Sequence, residues 1–107
     1  MFRAISFILI LLLSTSVLGR EKARAISGAG SRSCATWTEA QVDPSDQLAA
    51  REWVLGFISG FNWASDSQAV PVDNNALFAL VNNYCLAHPE QPLVYATSAA
   101  VKALPHK

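Results

Sequence analysis

The sequence predicts an all-α fold, a small disulfide-stapled bundle of three to four helices. Three observations carry this. Apolar residues recur at helical spacing in three stretches of the body, each with a start and a stop signal. No segment alternates with the two-residue period of a strand over a useful length. Two cysteines, Cys34 and Cys85, stand far apart in a small domain.

The first element is short, a turn of helix over residues 36–40. The second opens at Asp43-Pro44. Asp43 suits an N-cap, Pro44 the first helical position, and Asp46 places a negative charge in the first turn. Ala50, Val54, Phe57, Ile58 and Phe61 follow at helical spacing, and the helix is expected to end near Asn62 or Trp63. Residues 64–70 read as a polar loop. Asp73 caps the third element, with Val72 placed to pack on Leu77 as a hydrophobic staple. Leu77, Leu80, Val81 and Tyr84 form its apolar stripe, with Cys85 beside it. His88-Pro89 stops it, because a residue before proline avoids the helical region. Pro92 starts the last helix, which carries Leu93, Ala96, Thr97, Ala100 and Leu104 on one face, and Pro105 ends it.

The chain has 107 residues, 51% of them hydrophobic, with 8 basic residues against 8 acidic ones. That is one domain, too apolar for a disordered protein. Zero net charge gives no electrostatic footprint for nucleic acid. The average conceals a division. Residues 1–32 hold five basic groups against Glu21 alone, a net of +4; residues 33–107 hold three basic groups against seven acidic ones, a net of −4.

The basic end has the order of a secretory signal peptide: Arg3, a leucine-rich run, then small residues. Its uncharged stretch, residues 4–19, is 16 residues long. A spanning helix needs about 20, so no stable membrane anchor is expected. Cleavage after Gly19 and cleavage after Ala25 both satisfy the small-residue rule. The sequence thus divides into a signal peptide (1–25), a flexible Gly/Ser-rich lead-in (26–33) and a helical domain (34–104). Export places the chain in the periplasm or outside the cell. There an isolated cysteine pair forms a disulfide. Closing a loop of about 50 residues is worth roughly 4 kcal/mol in the chain-entropy model. The alternative, a reactive or metal-bound thiol pair, lacks Cys-x-x-Cys spacing and histidine neighbours.

Several residues invite a functional reading. Gly56-x-x-x-Gly60 puts two glycines on one helical face, and their helix cost points to close packing of another helix. Ser59 is not in a nucleophile elbow, because Gly56 stands one position too far away. Ser59 with His88 and an aspartate is the one hydrolase arrangement to weigh against a helical serine bonded to its own backbone. His88 at a helix end is explained by the dipole. Trp63 borders the polar loop, so Trp63 with Ser65, Asp66 and Ser67 is the candidate partner-binding surface. No residue is assigned a catalytic, metal-binding or cofactor-binding role.

With these pieces placed, the body resembles the HdeA-like group of small exported helical proteins. The resemblance spans residues 34–104. It lies in Ser33-Cys34-Ala35-Thr36-Trp37, Trp53-Val54-Leu55-Gly56-Phe57-Ile58-Ser59-Gly60-Phe61-Asn62, Val72-Asp73, Asn83-Tyr84-Cys85 and His88-Pro89. The Gly-Phe-Ile-Ser-Gly-Phe stretch and the Cys85-x-x-His88-Pro89 ending also resemble Rap/Tai-type immunity proteins, which guard a cell against toxins delivered by type VI secretion. HdeA-type chaperones have a lysine-rich body, whereas residues 33–107 here hold only Arg51, Lys102 and Lys107 as basic groups. The immunity likeness implies a binding protein that masks a partner such as a toxin. The chaperone likeness implies an acid-activated holdase for an unfolded client. Either partner is a protein, a homodimer is also compatible, and no cofactor is implied.

Export makes a direct prediction. The mass of the protein isolated from its producing cell should lack either the first 19 or the first 25 residues. An intact leader would refute the compartment assignment.

Overall fold

The structure, a computed structural model, describes residues 24–70 and 73–107. It is all-α: a 3-10 turn, Gly28–Ser31, precedes four helices, α1 (Cys34–Ala40), α2 (Pro44–Ala64), α3 (Asn74–Ala87) and α4 (Leu93–Ala103). The signal-peptide expectation falls, apart from Arg24 and Ala25, on residues outside the described ones, and so does the Val72 staple. No helix among the described residues is long and apolar enough to cross a membrane.

Local chemistry sets the helix ends. Ser33 caps α1 by accepting from the Thr36 amide. Asp43 accepts from the amides of Ser45 and Asp46, and Pro44 takes the first turn of α2, where no amide partner is needed. Asp73 Oδ1 accepts from the Ala76 amide at 2.7 Å to start α3. At its other end the His88 amide still bonds to Tyr84 O, and Pro89 follows. Helix α2 runs one residue past the expected end, to Ala64, and α1 begins two residues early, at Cys34.

Helix α3 packs chiefly on α4 and α1, while α2 meets α1, α4 and the 3-10 turn. The core draws Ala50, Val54 and Ile58 from α2, Leu77, Phe78, Val81 and Cys85 from α3, and Leu93, Ala96, Ala100 and Val101 from α4. Trp37 of α1 is buried against Phe78, with ring centroids 6.1 Å apart. The Arg51 guanidinium lies 4.7 Å over the other participant in that pair, Phe78. Phe78 sits one position off the stripe read from the sequence. It is buried because it fills the space between Trp37 and Arg51.

Cys34 and Cys85 are bonded, with Cα atoms 4.7 Å apart. Hydrogen bonds reinforce the junction. The amides of Cys34 and Ala35 donate to Gln91 O (2.7 Å) and Pro89 O (2.9 Å), and the Leu93 amide donates to Arg32 O (2.8 Å). The first amides of α1 and α4, which have no partner within their own helices, are thereby satisfied by each other's flanking chain.

Three sequence readings need correction. Residues 26–33 are not a free lead-in. They form a strap across α2, where the Trp53 indole N–H donates to Ser27 O at 2.9 Å and Gly30 is buried under the ring. The domain also extends past Leu104, because residues 105–107 pair with the loop after α2. Finally, Gly56 and Gly60 do not pack on another helix. Both are exposed, and a Cβ at either would meet nothing within 4 Å. The glycine that does require close approach is Gly30, whose added Cβ would lie 1.9 Å from Trp53 Cζ2.

This contrast predicts opposite effects from one substitution. Gly30→Ala should destabilise the protein by about 1–3 kcal/mol through overpacking. Gly56→Ala and Gly60→Ala should each stabilise it by about 0.5–1 kcal/mol through helix propensity. Urea denaturation of the three variants would read both signs.

Candidate functional site

The three tryptophans have distinct fates. Trp37 is in the core, Trp53 is half-buried under the N-terminal strap, and Trp63 is 94% exposed on the last turn of α2. Among the described residues, Trp63 is the most exposed of the large hydrophobic side chains at the surface, ahead of Val42, Leu48, Leu86 and Tyr95.

The segment beyond Trp63 is tightly held. The Asn62 side chain embraces Ala69: its Nδ2 donates to Ala69 O, and its Oδ1 accepts from the Ala69 amide, both at 2.9 Å. Gln68 Nε2 donates to Asn62 O. The C-terminal tail closes the other side. The Val70 amide donates to Pro105 O at 2.7 Å, and Gln68 and Lys107 exchange backbone hydrogen bonds. His106 stands at the centre. Its Nδ1 is 2.8 Å from Ser67 Oγ, its Nε2 is 2.9 Å from Val101 O, and its ring meets Phe61 edge-on at 6.1 Å.

This arrangement sorts the four residues of the predicted surface. Trp63 and the Asp66 carboxylate point outward, both exposed. The hydroxyls of Ser65 and Ser67 hold the loop instead. Ser65 Oγ donates to Ser67 O and accepts from the Ser67 amide, while Ser67 Oγ meets His106. The loop is therefore a fixed platform, with Trp63 and Asp66 as the groups it presents. Sequence reasoning missed Asn62, Phe61 and His106 as its supports. Asn62 is 7 residues from Ala69, His106 is 39 from Ser67 and Phe61 is 45 from His106, and only the asparagine near a helix end hinted at a cap.

The catalytic alternatives take a structural form. Ser59 Oγ donates to Leu55 O at 2.8 Å, the back-bond of a helical serine. His88 lies against Tyr84, ring to ring at 4.5 Å. Ser67 and His106 do have the spacing of a nucleophile and base. Since Val101 O can only accept, Nε2 carries the proton, and a neutral ring would take the Ser67 hydroxyl proton at Nδ1. Both residues of that pair are exposed. It works as a clamp. No cluster of three or more metal-ligand side chains occurs among the described residues.

No family model matches the chain, and neither a curated protein nor a solved structure matches it. The likeness to the HdeA-like and Rap/Tai groups rests on the residues quoted for it.

If the tail is the clamp, removing its central contact should free the loop. In His106→Ala the amides of Gln68 and Val70 should exchange about tenfold faster, the effect of losing one net hydrogen bond or more. Those of Val81 and Cys85 should be unchanged. Amide hydrogen exchange by NMR measures both.

Proposed function

We propose that the chain is a small exported binding protein of the Rap/Tai immunity-like type, which masks a protein partner such as a toxin in the periplasm. The observation that carries this is Trp63, 94% exposed and set beside a loop that the C-terminal tail immobilises. Interface energy concentrates in a few aromatic anchors, tryptophan foremost. An anchor on a rigid support loses little freedom on binding. The acidic body, with exposed Asp66 three residues after Trp63, favours a partner that is basic at the contact. The Cys34–Cys85 bond and the leader both suit an oxidising compartment outside the cytoplasm.

The test is pull-down from an envelope extract at neutral pH, followed by titration of the purified partner. Trp63→Ala should weaken the complex about thirtyfold or more, a loss of about 2 kcal/mol. Its melting temperature should match that of the parent protein, because the ring contributes little burial to the fold. A chain that forms no complex at neutral pH, yet keeps an aggregation-prone client soluble near pH 2–3, would replace this reading with the HdeA-like chaperone.

A further inference from the structure

Arg51 is the only basic residue of α2, and α3 beside it carries no charged residue at all. The guanidinium carbon stands 4.7 Å from the centre of the buried Phe78 ring. Its Nε is buried and has no hydrogen-bond partner. Its Nη2 reaches Gln41 Oε1 at 3.5 Å, which is long for a hydrogen bond. The neighbours three or four positions away on α2, where an acid could pair with it, are Gln47, Leu48, Val54 and Leu55. Asp43 is engaged as the cap of α2, and Glu39 and Asp46 line a different cleft. No ion pair engages Arg51 among the described residues. A half-buried cation without an anion is costly, and stacking on an aromatic face offsets part of that cost.

Arg51 forms one side of a cleft of about 240 Å³ against α3, and Gln41, Asn75, Phe78, Ala79 and Asn82 complete its lining. Asn75, Ala79 and Asn82 follow at steps of four and three, so they share one face of α3. The lining holds one positive charge, three side-chain amides and no carboxylate. That charge belongs to the middle of α2 and is independent of where the leader is cut. Trp53 turns toward the N-terminal strap, and Arg51, two positions earlier, lies about 200° around the helix from it. Arg24 lines a separate cleft, with Phe57 and residues of α4. Pro71 and Val72, which precede α3, are uncharged.

We propose that this cleft binds a small monocarboxylate, an acid of about two to four carbons. The forked edge of a guanidinium matches the two oxygens of a carboxylate. The amides of Asn75 and Asn82 can donate to its remaining lone pairs, and the short alkyl stem rests on Ala79 and Phe78. Charge and size select the occupant. A phosphate dianion would keep an unmatched charge beside a body of net −4. A volume of about 240 Å³ falls below the range of drug-sized sites, about 300–1,000 Å³. The proposal goes beyond the masking reading and does not depend on Trp63.

The experiment uses the mature protein as isolated, titrated at neutral pH with acetate, propionate and butyrate. The side-chain amide signals of Gln41, Asn75 and Asn82 are followed by NMR, and a saturable shift is expected. Propionamide, the neutral isostere, and inorganic phosphate should each bind about tenfold more weakly than propionate, or worse. Arg51→Lys keeps the charge but loses the fork, and should weaken propionate about tenfold. Arg51→Met, which keeps an apolar stem over Phe78, should abolish the shift. Ala79→Phe, on the exposed side of α3, should block the cleft while leaving the helical circular dichroism intact, so the test stands even if a variant of Arg51 fails to fold. The proposal is overturned by any of four results: no saturable shift with any of the acids, equal binding of propionamide or phosphate, binding that survives Ala79→Phe, or much tighter binding of acetyl-glycyl-glycine, which would make the occupant a peptide terminus.

Discussion

The junction of Cys34 with Cys85 is the constraint on which the rest of the molecule depends. The bond spans 51 residues of sequence and ties the start of α1 to the last turn of α3. A domain of this size buries a modest share of its surface, so chain entropy nearly cancels the gain from its core. A crosslink of that span raises the free energy of the unfolded chain by roughly 4 kcal/mol in the chain-entropy model, which is comparable with the whole stability of a marginal small domain. Its placement matters as much as its size. The amides of Cys34 and Ala35 bond to carbonyls of the α3–α4 connection, and Leu93 returns a bond to Arg32. Covalent and hydrogen-bonded links therefore converge on one corner, and three helix ends are set there together.

From that corner the chain reaches two further closures, one at each end. The strap before α1 lies on α2 because Trp53 offers Ser27 a donor and Gly30 a surface that only a glycine can approach. The tail after α4 lies on the loop after α2 because Ala69 and His106 form an antiparallel bridge and His106 satisfies both Ser67 and Val101. Both closures act on α2, the longest helix, one at Trp53 near its middle and the other at the loop beyond its end. The second holds the platform beside Trp63.

The helices were legible because their signals are local. Asp43-Pro44, Asp73 and His88-Pro89 act on amides a few residues away, and the Leu77, Val81 and Cys85 stripe needs only the helical period. The exposure of Trp63 was legible too, since it borders the polar loop after α2. What escaped was non-local. Gly30 and Trp53 are 23 positions apart, and Ser67 and His106 are separated by 39, so no local pattern links them. The Gly56-x-x-x-Gly60 reading failed for a related reason. Spacing shows that two glycines share a face, but not whether a second helix lies over it; here the face is open.

The position of Trp63 has an energetic meaning that its burial alone does not convey. A tryptophan ring that goes fully into an interface removes about 150–250 Å² from water. At about 25 cal/mol per Å² that corresponds to roughly 4–6 kcal/mol of gross driving force. Ordering a loose loop on binding would consume much of it, at about 0.5–1.5 kcal/mol for each side chain immobilised. In this fold that ordering belongs to folding itself. Asn62 holds Ala69, Ser65 holds Ser67, and His106 holds Ser67 and Val101 before any partner arrives. The disulfide supplies stability that lets the domain keep the Trp63 ring in water beside a bonded loop. A molecule organised in this way meets a partner with its anchor already set.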